Sequence, residues 1–389
     1  MVGSEKCCNF AAYLENRVKQ KKFSKVKKIM AREAKQSVFT SFGTVFEGRD
    51  VSVNEAFNEA GLDFNVGTQQ LLRVPDNVMD LIKEAIAEGR GVDLSGWTPS
   101  HSCIIDSHKA TLREDTNETF GVVGSGYQVV QNVEALKFVD FIGEVSGSSP
   151  EIISAGALGN GERIFITAKV GEDMMLSERD MITPYIVFTT SHDGGGAVCA
   201  MVTPIRVVCQ NTLNMALRSG SSNKIMFKHT KNVLGKLDFT TEENRQRARK
   251  VFEGANAFSK KFLDAMYSLK NKSVDNEYAK RFVGKLLMND EQFKLWEKAN
   301  LNTETLRGDK VIGGKMANMM YGIEDAIHNG IGQFAEYEGS ALYLLNGVTT
   351  YFNNNRDERY KTAEDKFVSM SEGNALKYTQ KAYDLLMVG

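Results

Sequence analysis

In residues 52–61 and 75–89 apolar positions recur every three or four residues, the period of helices with one buried face. "SVNEAFNEAG" carries Ser52 and Glu55 in capping-box register, with Gly61 placed to stop the helix. "PDNVMDLIKEAIAEG" predicts a second amphipathic helix ending near Gly89, and the Gly-, Ser- and Asp-rich residues 90–110 read as a connection. From about residue 104 the pattern becomes that of strands and turns. "SCIIDSHKATLRED" and "TFGVVGSGYQVV" predict a hairpin turning through Asp115 to Glu118. "NVEALKFVDFIGEV" predicts a helix offering Val133, Leu136, Phe138, Phe141 and Ile142 to a core. "ISAGALGNGERIFITAKVG" runs through glycines into a strand at 163–170; strands follow in "DMITPYIVFTTSHDG" and "AVCAMVTPIRVVC", then a helix in "QNTLNMALRSG". Strand, strand, strand, helix with short connections favours an antiparallel meander.

After "NKIMFKHTKNVLGKL" the pattern is helical. Thr240 and Glu243 stand in capping-box register before a long helix with Val251, Phe252, Ala255, Phe258, Phe262 and Met266 on its inner face. Further helices fit 277–299, 313–329, 339–353 and 372–386. The expected fold class is therefore α+β: an antiparallel β-meander packed with helices, followed by a helical C-terminal region. The expected division is a basic N-terminal segment (1–40), a small helical or mixed subdomain (41–100), an α+β core (101–237) and a helical domain (238–389).

Composition narrows the class without naming a chemistry. The 389 residues suffice for two or three domains, and 42% hydrophobic with 25% charged residues is ordinary for a soluble globular protein. No apolar run approaches the roughly 20 residues that span a bilayer, and the N-terminus has no apolar leader, so neither membrane insertion nor secretion is expected. Five cysteines, at 7, 8, 103, 199 and 209, form no C-x-x-C and no framework, which fits a reducing cytoplasm. Net charge is −1, yet "RVKQKKFSKVKKIMAREAK" holds nine Lys or Arg and one acid. That run reads either as a contact to nucleic acid or another polyanion, or as a solvated arm.

Candidate chemistry concentrates in "SHDGGGAVCAMVTPIRVVCQNTLNMAL", residues 191–217. Asp193 to Gly196 satisfy the positive φ angles of a tight turn, and a bend bare of side chains at Gly194 and Gly195 lets a phosphate or base approach. "GALGNGER" contains a glycine pattern, but it leads into a strand rather than a helix, so a glycine turn is favoured over a phosphate loop. His192, Asp193, Cys199, Cys209 and His229 lack the two close ligand pairs of a metal site; neither a metal nor another cofactor is expected. Arg206 lies in an Ile- and Val-rich strand just before Gln210, Asn211 and Thr212, where first-turn amides and short polar side chains suit an anion. Lys224, Lys228, His229 and Lys231 add cations, and Tyr185, Phe188 and Phe227 interleave aromatic rings, the composition of a stacking nucleic-acid groove.

The same stretch, followed by "KHTKNV", resembles the signature of the phage/plasmid-like protein family, a domain of unknown function numbered 932. The likeness extends to "NEAFNEAGLDFNV", "TLREDTNETFGVVGSGYQVVQNVEALKFVD", "GALGNGERIFI" and "GSALYLLNGVTTYF", covering most of residues 52–355; Phe64 stands where family members commonly carry Trp. The resemblance implies a mobile-element setting and no secure activity. The meander-plus-helix core is also similar to that of phage single-strand-annealing recombinases, which hold a strand by its backbone in oligomeric rings without metal or nucleotide hydrolysis.

The expected function is thus a cytoplasmic, mobile-element nucleic-acid-binding protein, homo-oligomeric and acting on single strands, not an enzyme. Arg163, Lys169, Arg206, Lys224, Lys228 and Lys231 would contact phosphates. His192, Gly194 and Gly195 would admit the strand, Gln210, Asn211 and His229 would line it, and Tyr185 or Phe227 would stack bases. Two alternatives stand beside it: a metal- or His-dependent enzyme on nucleotides or nucleic acid using His192, Asp193 and His229, and a host-directed, anti-defence interaction protein docking through its helical C-terminal region.

Overall fold

The computed structural model describes residues 42–146, 150–206, 224–330, 332–353, 355, 360–371 and 373–388. The basic segment at 1–40, the helix expected in "QNTLNMALRSG", and with it Gln210 and Asn211, lie outside them.

The class is α+β, with antiparallel sheets and a helical C-terminal region. The larger sheet runs in the order β1 (Thr44–Val45), β5 (Glu151–Leu158), β6 (Arg163–Lys169), β8 (Asp180–Ser191), β9 (Val198–Arg206) and β10 (Lys224–Phe227), every neighbour antiparallel. Short β7 (Met174–Ser177) pairs with the start of β8. From β5 to β9 this is the meander that short connections favour, because hairpins need only a few residues where a parallel crossover needs a dozen. A second sheet, β2 (Val66–Leu72), β3 (Ile104–Arg113) and β4 (Thr119–Gly124), includes the expected hairpin, with Asn117 at φ 59° in its turn.

Strand β8 organises the molecule. Its sequence, DMITPYIVFTTS, is apolar or β-branched almost throughout, and all twelve residues are buried. A strand so patterned must be covered on both faces. Ile186 and Phe188 face a core shared with Phe138 and Ile142 of α3 (Val133–Ser146) and with Phe57 of α1 (Val53–Glu59). Tyr185 and Val187 face Phe165, Ile153 and Phe367, the last from α11 (Ala363–Ser371). At the start of the strand, Ile182 joins the helical core of Phe262, Met266, Trp296 and Leu345. There Asp180, fully buried, accepts a hydrogen bond from Tyr337 Oη at 2.9 Å, tying sheet to helices.

The helical region comprises α5 (Glu242–Asn271), α6 (Asn276–Leu287), α7 (Asp290–Lys298), α8 (Thr303–Gly308), α9 (Gly313–Asn329), α10 (Ala341–Asn353), α11 and α12 (Asn374–Val388); α2 (Asp76–Ala87) and the short α4 (Val233–Lys236) precede it. Phe258, Phe262 and Met266 are buried as the long helix's spacing predicts, while the side chains of Val251, Phe252 and Ala255 lie outside the description.

Three expectations are corrected, and one element carried none. "ISAGAL" is a strand, β5, because its small residues admit β1: a Cβ on Gly156 would sit 2.8 Å from Gly43 Cα. "KIMF" is an edge strand. The helix expected at 277–299 breaks at Met288, where Asn289 caps a new helix in a box with Gln292. Thr240 caps nothing: its hydroxyl bonds Asp238, and Thr241 is the residue before α5. The Ser52–Glu55 capping box forms as expected.

Candidate functional site

The turn that follows β8 packs between the two sheets. Thr111 Oγ1 of β3 donates to the carbonyl of His192 at 2.7 Å, and Tyr127 Oη donates to that of Ser191 at 2.8 Å. Gly121 of β4 has no room for a Cβ, which would lie 2.8 Å from the Asp193 carbonyl oxygen. Gly194 turns at φ 82°, the left-handed region that glycine enters without strain. Asp193 stabilises the bend itself, accepting from the Gly195 N–H at 2.7 Å and from the Ser191 hydroxyl. The glycine turn is thus an Asx-type bend seated on the second sheet; Gly194 and Gly195 are exposed on its outer side.

His192 is fully buried, its ring stacked on Phe120 at 5.8 Å and edge-on to Phe64. Its tautomer follows from Asn132. That amide spends both Nδ2 hydrogens on the carbonyls of Leu62 and Phe64, so its Oδ1 must be what faces His192 Nε2 at 2.8 Å. The imidazole therefore carries its proton on Nε2. Burial, and secondarily the neighbouring His229, pulls the His192 pKa down to about 4. His229 has the opposite tautomer. Its Nδ1 donates to the Gln128 carbonyl at 3.0 Å, leaving Nε2 to accept from Thr190 Oγ1 at 3.3 Å, with Tyr127 stacked on the ring at 4.6 Å. Burial lowers its pKa as well. Two neutral histidines thus clamp the end of β8 to the loops around 62–64 and 127–132.

This arrangement corrects several expected contacts. His192 and His229 are buried, with His192 Nε2 and both His229 nitrogens bonded internally. Arg163 is 3% exposed, its Nε 3.8 Å from Glu364 of α11. Lys169 pairs with Asp173 at 2.9 Å. Tyr185 is buried, which raises its phenol pKa, and offers no face for a base. Nor does one rim gather the cations. Arg163 and Lys169 occupy opposite ends of β6, about 20 Å apart at strand rise. Arg206 pairs with Ile182 at the far end of β8, whereas Phe227 pairs with Val198 near the His192 end and leads into Lys228 and Lys231. The side chains of Arg206 and Lys224 lie outside the description.

The enzyme alternative meets the same geometry. Asp193 bonds its own turn, His192 bonds Asn132, and His229 bonds Gln128 and Thr190, so the three make no relay. Among the described residues no three His, Cys, Asp or Glu side chains stand where they could hold a metal.

One group of exposed cations lies along the β10 edge. Lys228 and Lys231 are exposed in the turn after β10, and Lys236 lies 5.9 Å from the Phe227 ring centre. Lys250, Lys260 and Lys261 are exposed on α5, which packs against β8, β9 and β10. Lys228, Lys231, Lys250, Lys260 and Lys261 have no carboxylate within ion-pair distance among the described residues, whereas Arg245 and Arg249 pair with Glu144 and Glu242 at 2.9 and 3.0 Å. Residues 224–261 hold ten Lys or Arg against four Asp or Glu, a local charge of +6 in a chain of −1. Sequence reading stopped at Lys231 and missed the α5 lysines, although that charge imbalance was legible. It also missed Asn132, Tyr127 and Thr111, whose roles depend on contacts 60 or more residues away.

The model of a family described as a domain of unknown function (DUF932) matches residues 119–373. No curated protein and no solved structure matches the chain.

Proposed function

We propose a function from the premise that this chain belongs to the DUF932 family, whose description leaves the activity open: it binds nucleic acid, single strands by preference, along the β10–α5 edge. The observation that carries this reading is the row of exposed lysines without carboxylate partners, Lys228, Lys231, Lys250, Lys260 and Lys261, within a segment of net charge +6. Lysines on a rigid helix and turn neutralise phosphates without reading bases, and each contact releases counterions. Phe227, half-buried beside Lys236, supplies an aromatic edge on the same border. The basic run at 17–35 would add non-specific affinity. Arg163, Lys169, Tyr185 and His192 take no part in this version of the site. The phage or plasmid setting, the cytoplasmic location and self-association belong to the same proposal, the last to be read by light scattering of the purified chain.

The test is a salt series of binding titrations with single- and double-stranded DNA and RNA, repeated on Lys228→Glu/Lys231→Glu. Each lost phosphate contact lowers the logarithmic salt slope by about 0.7 for single strands, so the double variant should flatten it by about 1.4. No binding at low salt, or a slope the double variant leaves unchanged, overturns the proposal.

A further inference from the structure

Away from the β10 edge, a cleft of about 580 Å³ opens in the helical region between α6, the second half of α9 and the turn that starts α10. Its volume lies in the range of small-molecule sites and far above that of a lone water. The floor is apolar: Val283, Ile327 and Leu344 line it, and each is almost fully buried. The walls are acidic. Asp275, Glu324, Asp325 and Glu338 face Lys280 and His328, four carboxyl groups against one lysine.

Two of those acids have structural work. Asp275 caps α6 through the Tyr278 N–H at 2.7 Å, and Asp325 accepts from Asn329 Nδ2 at 2.8 Å. Glu324 and Glu338 make no side-chain hydrogen bond or ion pair among the described residues. Each shares the cleft lining with a tyrosine close to it in the chain: Tyr321, one helical turn before Glu324, whose hydroxyl donates to Glu304 at 2.6 Å and leaves its ring to offer, and Tyr343, five residues after Glu338. Burial raises the Glu324 pKa, with Lys280 and His328 pulling the other way, so this carboxylate would gain from a closer cation. Helix α9 also ends at this cleft, at Asn329, and a helix C-terminus carries partial negative charge.

We propose that the cleft binds an α,ω-diammonium alkane or longer polyamine, one ammonium held by Glu324 and Tyr321, the other by Glu338 and Tyr343, with the methylenes over Val283, Ile327 and Leu344. A carboxylate and an aromatic face each attract a protonated amine, and an apolar floor between two such pairs suits a chain charged at both ends. An anion is disfavoured by the excess of carboxylates. This site is independent of the proposed nucleic-acid edge, and either can fail alone.

The experiment is calorimetric titration of the full chain with 1,5-diaminopentane, with 1-aminopentane, 1,5-pentanediol and glutarate as comparisons at fixed ionic strength. Diamine should bind more tightly than monoamine, and diol and diacid should give no heat. Glu338→Gln, an exposed position, and Glu324→Gln should each weaken diamine about tenfold, since each removes one charge-assisted contact, while Lys231→Gln should not. Circular dichroism confirms that each variant is folded. No heat with diamine at about ten millimolar, which corresponds to affinity weaker than a useful site, overturns the proposal. So does equal binding of diol, tighter binding of glutarate, or affinity that both Glu substitutions leave unchanged.

Discussion

His192→Gln isolates what the buried imidazole does. Glutamine keeps a donor that can reach Asn132 Oδ1 and removes the titrating ring. In the folded protein His192 has a pKa of about 4, against about 6.5 in an unfolded chain. The unfolded state therefore binds the extra proton between these values, and stability falls as pH drops through that window. Its contribution is complete above about pH 6.5. Between pH 7 and pH 4.5 the loss amounts to about 2 kcal/mol from this one group. His229, also held low by burial, changes stability in the same direction. Urea unfolding of wild type and variant across pH 7 to 4.5 should give curves that converge by about 2 kcal/mol at the acid end. Carboxylates common to both proteins cancel in the difference. With only five histidines in the chain, nitrogen-15 imidazole spectra provide a direct second reading: His192 protonated on Nε2, His229 on Nδ1. Parallel stability curves, or matching tautomers for the two rings, would refute the reasoning.

Two further substitutions probe how the helices and the sheet are joined. Gly347→Ala places a Cβ 2.6 Å from Ile327 Cα, so α9 and α10 must separate; a loss of about 1–3 kcal/mol in thermal or urea unfolding is expected, and a neutral outcome would mean the helices are less closely packed. Tyr337→Phe removes the donor to buried Asp180 and should cost about 1–3 kcal/mol, more than any exposed tyrosine; an unchanged midpoint would remove that contact from the account of how β8 is anchored.

Local signals were legible because local physics decides them. Ser52 and Glu55 form their capping box three residues apart, and the hairpin at 104–124 follows from strand alternation and a polar turn. What escaped was set by partners distant in sequence. Strand β5 looks like a glycine-rich lead-in until Gly43 is placed against Gly156. Arg163 reads as a free cation until α11 brings Glu364 to it, and His192 reads as reactive until Asn132 fixes its proton. The domain family was legible in whole motifs, while single residues within those motifs were assigned to chemistry that their neighbours already occupy.

The densest motif in this chain is therefore a joint. A turn rich in His, Asp and Gly draws attention because those residues are rare together, but rarity has two physical sources. One is chemistry at a surface; the other is a junction where a twelve-residue buried strand ends and its last polar groups must all find partners. Here the accounts nearly close: the Ser191 and His192 carbonyls, both histidine protons and the Asp193 carboxylate each have a protein partner, and His192 Nδ1 is the buried atom of this junction left without one among the described residues. A ligand would have to displace those bonds to reach the histidines. Accessible side chains with capacity to spare include those on the β10–α5 edge and in the acidic cleft, and those surfaces can gain free energy from a ligand without first breaking the fold.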